Sequence, residues 1–174
     1  IAEDDPAVIL YTSGTTGRPK GCITTHHGTV SQVIGIVFAG VSGAVLGSGM
    51  PMPGAGEQPA SLLTSPLFHV AGFHSGVCTG LTAGVKLVFT EGKFDPEQVM
   101  QIIERERITL WGAIPTMLHR VVHHPKASSY DLSSLKGISF GGAPTPPETL
   151  EKAREGLKLQ PSLTNAYGPT QTHG

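Results

Sequence analysis

The sequence predicts an α/β layer fold: a mainly parallel β-sheet flanked by helices. Three observations carry this. Short runs of aliphatic and β-branched residues alternate with helix-patterned segments along the whole chain. The runs end in glycine or proline, as strands feeding tight turns do; the 174 residues hold 23 glycines and 14 prolines. Apolar residues make up 39% and charged residues 14%, which suits buried elements and excludes disorder. A net charge of -1 removes any global basic field, so no nucleic-acid partner is expected.

The elements follow in order. Val8–Ser13 reads as a short buried strand, and Cys22–Thr25 as a weaker one. Gly28–Gly56 has no charged side chain; a buried helix followed by a Gly/Pro loop is preferred to a membrane span, because five glycines between Gly35 and Gly49 dilute its hydrophobicity. Ser61–Thr64 is a strand, and the small and apolar residues of "PLFHVAGFHSGVCTGLTAG" suit a tightly packed helix. Val85–Thr90 is a strand. "FDPEQVMQIIERERI" is a helix with Asp95 as cap, Pro96 in the first turn and an apolar stripe at Val99, Ile102 and Ile103. Ile108–Ile114 is a strand followed by a helix from Pro115 through His124. "KGISFGG" is a strand. Thr145 and Glu148 form a capping-box pattern opening a helix over Pro146–Leu157, and "SLTNAYG" is the last strand.

In parallel sheets ligands sit beyond the carboxyl ends of strands. Three loops are expected there: "TSGTTGRPKG", "GGAPTPP" and "YGPTQT". The first combines Thr12, Ser13, Gly14, Thr15, Thr16, Gly17, Arg18, Pro19 and Lys20. Glycines let backbone amides turn toward one point, threonines and serine add hydroxyl donors, and two cations add charge, with no acid among them. That suits a polyphosphate. A Walker A loop needs lysine directly after the second glycine, whereas Arg18 and Pro19 intervene here. An interdomain linker is the bland alternative.

"YTSGTTGRPKG" resembles the phosphate-binding signature of the adenylate-forming superfamily, which holds acyl-CoA synthetases, peptide-synthetase adenylation domains and beetle luciferases. "PLFHVAGF", "GGAP" and "NAYGPTQT" resemble further motifs of that family, in the family's order, from Tyr11 to Thr172. The form of "PLFHVAGF" is closer to fatty-acyl ligases.

The resemblance implies ATP-dependent activation of a carboxylic acid as an acyl-adenylate, then transfer to a thiol such as that of coenzyme A. It implies that Thr12–Lys20 hold the β- and γ-phosphates, with Lys20 catalytic. It places adenine against Gly141, Gly142, Ala143 and Pro144 and against Asn165, Ala166, Tyr167 and Gly168. Thr170 then reaches the α-phosphate and His69 lies near the acid's carboxylate. From the residues alone, an ordinary strand-to-helix turn is the alternative for Gly141–Pro144, and His69 reads as a packed side chain. Gln171 stands where the family normally has a glutamate that helps hold Mg²⁺; an amide oxygen brings no charge there.

ATP, Mg²⁺ and coenzyme A are the implied cofactors and co-substrates, and a fatty acid the expected acid, with aryl and sterol-derived acids open. The chain is expected to be an internal piece, residues 1–174, of the family's AMP-binding N-terminal domain, without the C-terminal lid and inactive alone. A cytoplasmic location, with membrane contact at most peripheral, is expected. A nucleotide- or partner-binding module without catalysis is the alternative function.

His119 and His123 are one helical turn apart, but no HExxH pattern joins them, and a solvated helix end is the reading. Cys22 and Cys78 read as reduced thiols.

Overall fold

The computed structural model describes residues 1–14, 17–46, 56–156, 162–166 and 170. The chain begins with strands β1 (Pro6–Thr12) and β2 (Lys20–Thr25) and helix α1 (His26–Val45). Strand β3 (Ala60–Leu63) leads to a π-helical stretch, Ala71–Cys78, continued by α2 (Thr79–Thr82). Then come β4 (Lys86–Phe89), α3 (Pro96–Glu106), β5 (Leu110–Ala113), α4 (Pro115–Val122), β6 (Gly137–Gly141), α5 (Pro147–Gly156) and β7 (Ser162–Ala166).

Five strands form one parallel sheet in the order β4-β3-β5-β6-β7. Parallel neighbours need a crossover, and a helix supplies one between each successive pair. Alternation then sorts the strand residues. Leu62, Trp111, Ala113, Ile138 and Phe140 point into a core with Val99, Met100 and Ile103 of α3, Leu118 and Val121 of α4 and Ala153 of α5. The intervening residues face the other side. There the π-helical stretch and α2 approach closely: a Cβ on Gly76 would lie 2.9 Å from Leu63, and one on Gly80 2.6 Å from Leu87.

The helix signals read from sequence hold at α3. Asp95 accepts a hydrogen bond from the Glu97 amide at 3.0 Å, and Pro96 occupies the first turn. They fail at α5. Thr145 Oγ1 is buried without a hydrogen-bond partner, so the capping box is not made, and the helix starts at Pro147.

Two expectations at the amino-terminal end are corrected. β1 and β2 form a separate antiparallel hairpin, with Leu10 opposite Cys22 and Thr12 opposite Lys20. A loop this short cannot make a parallel crossover. Only Leu10 of β1 is buried; Ile9 and Tyr11 are exposed, so the strand is not the buried one its composition suggested. The helix expected within Gly28–Gly56 is α1, but Val33 is its one buried residue and Phe38 is 71% exposed. Among the described residues α1 alone is long and apolar enough to cross a membrane, by length and composition only. The following Gly/Pro loop falls largely outside the described residues.

Candidate nucleotide and acid site

Because the sheet strands are parallel, the carboxyl ends of β3, β5, β6 and β7 share one edge. The loop bearing His69 follows β3, Gly141–Pro144 follows β6, and Tyr167–Thr170 follows β7. The last two are neighbours by register: Phe140 pairs with Asn165 and Gly141 with Ala166. Gly142 has φ +82°, a backbone conformation suited to glycine, with open space above its Cα; Ala143 and Pro144 are exposed. A flat ligand can lie there on bare backbone.

The Thr12–Lys20 loop joins the two strands of the hairpin instead of leaving the parallel sheet, which corrects its expected position. The hairpin's second strand nevertheless touches the segment after β7. On the hairpin's inner face Cys22 lies beside buried Leu10, and its Sγ donates to the Thr170 carbonyl at 3.8 Å. This contact spans 148 residues of sequence and brings the base of the glycine loop against the segment after β7. From sequence Cys22 is given no such place; its alternation with buried Thr24 along β2 was the available signal.

The loop's donor set suits an anion. Gly14 and Gly17 have φ +66° and +80°. A Cβ on Gly14 would lie 2.4 Å from the Arg18 carbonyl oxygen, so the loop folds back tightly on its own backbone there. Above Gly17 the space is open. Ser13, Arg18 and Lys20 are exposed and reachable, and no carboxylate lies between Thr12 and Gly21. Thr12 Oγ1 makes a long hydrogen bond, 3.5 Å, to the Lys20 carbonyl across the hairpin mouth. These features together fit the oxygens of a polyphosphate.

His69 is exposed at the start of the turn into the π-helical stretch. Its Nδ1 accepts a hydrogen bond from the Ala71 amide at 3.2 Å. In the neutral ring the proton then sits on Nε2, leaving an N–H donor for a carboxylate. The packed-side-chain alternative for His69 is thereby set aside. Phe68 beside it is also exposed.

Thr15, Thr16, Tyr167, Gly168 and Gln171 lie outside the described residues, and for Asn165 and Ala166 the strand alone is described. Among the described residues no group of three or more His, Cys, Asp or Glu could hold a metal ion. His119 of α4 and His123, which caps its end, stack at 4.0 Å; His119 Nδ1 bonds the buried Thr149 hydroxyl at 3.1 Å, tying α4 to α5. Cys78, on the far face, has its thiol pushed up by burial, which leaves it the less reactive form.

Known proteins resemble the chain throughout. It is 32% identical over 168 residues to the medium-chain acyl-CoA ligase ACSF2, mitochondrial, of Mus musculus, covering 96% of this chain and 26% of that one. It is 33% identical over 172 residues to a feruloyl-CoA synthase of Amycolatopsis sp, covering 98% and 31%. The solved O-succinylbenzoate coenzyme A synthetase (MenE) of Bacillus subtilis, in complex with ATP and magnesium ion, superposes with a TM-score of 0.74 at 28% identity. That match covers 99% of this chain and 32% of the relative. This chain thus spans about a quarter to a third of the relatives' length. The pattern of the family described as AMP-binding enzyme matches residues 1–174, and so the chain belongs to the AMP-binding enzyme family.

Proposed function

We propose that the protein containing this chain activates a carboxylic acid with ATP and passes the acyl group to coenzyme A. The observation that carries the proposal is the Cys22–Thr170 contact, which joins the second strand of the hairpin bearing the acid-free, cation-bearing glycine loop to the segment that follows β7. In the first step a carboxylate oxygen attacks the α-phosphorus of ATP, the bond to the β-phosphate bridging oxygen breaks, and pyrophosphate leaves. In the second a thiolate sulfur attacks the acyl carbon, the acyl–oxygen bond breaks, and AMP leaves.

The chain's own groups supply position and charge. Amides and hydroxyls of Thr12–Gly17, with Arg18 and Lys20, hold the β- and γ-phosphates and then pyrophosphate. The backbone at Gly141–Pro144, with Asn165 and Tyr167, takes the base. Thr170 meets the α-phosphate, and the His69 Nε2–H orients the acid. Preorganised donors of this kind supply much of the barrier reduction in such displacements. Magnesium enters with the nucleotide, as the ATP and magnesium complex of the Bacillus subtilis relative supports. Gln171, the residue expected beside it, lies outside the described residues.

For the acid we propose a medium- or long-chain fatty acid. Support comes from the apolar residues around His69 and from the name of the mouse relative; feruloyl and O-succinylbenzoate relatives make aromatic acids the competing class. We further propose that these 174 residues complete no turnover by themselves, since they span 26% of the mouse relative.

The test is ATP–pyrophosphate exchange by the longer protein across a panel of aliphatic and aromatic acids. Exchange that requires an acid supports the reading, and the best acid names the class. Phosphate release without acid would instead indicate a nucleotide hydrolase, and nucleotide binding with neither activity a binding module.

A further inference from the structure

A hydrogen-bond relay from the core ends at Thr64, two residues before the His69 turn opens at Pro66. Trp111 of β5 is 1% exposed, its ring packed among core residues. Its indole N–H donates to Thr64 Oγ1 at 3.3 Å, and that hydroxyl donates to the Gly112 carbonyl at 2.9 Å. Thr64 is the residue directly after β3 and lies on the same side of the sheet as Trp111 by alternation with Leu62. Its hydroxyl has one donor and one acceptor partner, so its rotamer is fixed from both sides.

Pro66 follows. The His69 amide donates to the Pro66 carbonyl at 3.1 Å, and the amides of Gly72 and Phe73 donate to the His69 carbonyl at 3.0 Å each. A Cβ on Gly72 would lie 2.2 Å from that same Pro66 oxygen, so the start of the helical stretch rests on Pro66 with no space between. The position of His69 is therefore set from Pro66, and the chain entering Pro66 is pinned to β5 through Thr64.

We propose that Thr64 and Trp111 are positioning residues that lock the His69 turn to β5 and so set how the acid is presented. The inference rests on the ligase reading given above. Loss of the relay leaves every group that meets nucleotide in place and loosens the histidine that meets the acid. Even small displacements of that histidine matter because productive encounter geometry is narrow.

The experiment compares Thr64→Val and Thr64→Ser in the intact protein. Valine keeps the volume and branching but has no hydroxyl; serine keeps the hydroxyl. In acid-dependent ATP–pyrophosphate exchange, Thr64→Val should lower kcat/KM for the acid by about tenfold while KM for ATP changes by less than about twofold. Thr64→Ser should restore the acid value. The His69 ring Cε1–H NMR signal should move in Thr64→Val and stay in Thr64→Ser. Trp111→Phe, which keeps the ring and loses the N–H, should shift both readouts the same way, and it decides the matter if Thr64→Val does not fold. An unmoved ring signal overturns the proposal, as does an acid kcat/KM unchanged by the variants or lost in parallel with that for ATP. If the wild-type protein shows no acid-dependent exchange, the ligase reading falls, and the ring signal alone then decides the positioning claim.

Discussion

The two faces of the parallel sheet and the hairpin beside it use similar apolar residues to different ends. Against α3, α4 and α5, Leu62, Val99, Met100, Ile103 and Leu118 have lost essentially all contact with solvent. In the hairpin and α1, Ile9, Ile23, Ile34 and Phe38 all face outward. Burial is roughly proportional to stabilisation, so the β3–α5 unit holds most of the chain's own stability. The groups we propose to meet phosphate sit on the hairpin, at the weakly packed end, where local opening costs least. Composition alone does not separate the two regions, because it reports what a residue prefers and not what is there to cover it.

The largest way to break this contrast is a matched pair of truncations. Ile103→Ala, at 0% exposure, should cost about 2–5 kcal/mol. Ile34→Ala, at 61% exposure, should change stability by no more than about 0.5 kcal/mol. Equal shifts in denaturant midpoint would show that α1 is packed in solution.

Gly14→Ala comes next. The side chain meets a backbone oxygen at a left-handed φ, which costs about 1–2 kcal/mol locally. Calorimetric titration should show weakened ATP binding with the thermal midpoint of the β3–α5 unit retained, and unaltered affinity would separate the hairpin loop from the nucleotide.

Asp95→Ala removes the cap of α3 and should cost about 1 kcal/mol, read by thermal unfolding. The corresponding change at α5, Thr145→Val, should be neutral or stabilising, because its hydroxyl has no partner to lose.

The smallest effect is on pH dependence. Lys126 first, then Tyr130, hydrogen-bonds Glu97 and holds its carboxyl below the usual carboxylate range. A depressed native pKa means the unfolded chain takes up the proton first. The stabilisation is complete above the ordinary Glu value of about 4.3 and is lost as pH falls through the lowered native value. The difference in melting temperature between wild type and Glu97→Gln should therefore shrink in acid; a constant difference from neutral to acidic pH would remove the ion pair from the account.

Much of the parallel sheet was legible, because its signals are local. Asp95-Pro96 starts a helix by capping chemistry, and Val99, Ile102 and Ile103 recur at helical spacing. The chemistry proposed for the motif loops rests on the same kind of local signal, since glycines, hydroxyls and cations declare their preferences without a partner. What was not legible depends on pairing. Nothing in "VILYT" states that it lies antiparallel to "KGCITT" and outside the main sheet. Nothing in Thr145 and Glu148 states that the capping hydroxyl is left without a bond. The Trp111–Thr64 relay joins residues 47 apart that belong to no shared motif, and only the register of β3 against β5 brings them together.

The π-helical stretch Ala71–Cys78 has a further bearing on which length changes the fold tolerates. Its turns are wider than those of an α-helix and hold surplus chain between two fixed ends, Gly72 on Pro66 and Gly80 on Leu87. Removing one residue between those glycines gives the stretch an outlet that α3 lacks: it can tighten to ordinary α geometry while both anchors stay seated. Such a deletion disturbs neither the glycine anchors nor the sheet, and it should yield folded protein where the same deletion in α3 does not.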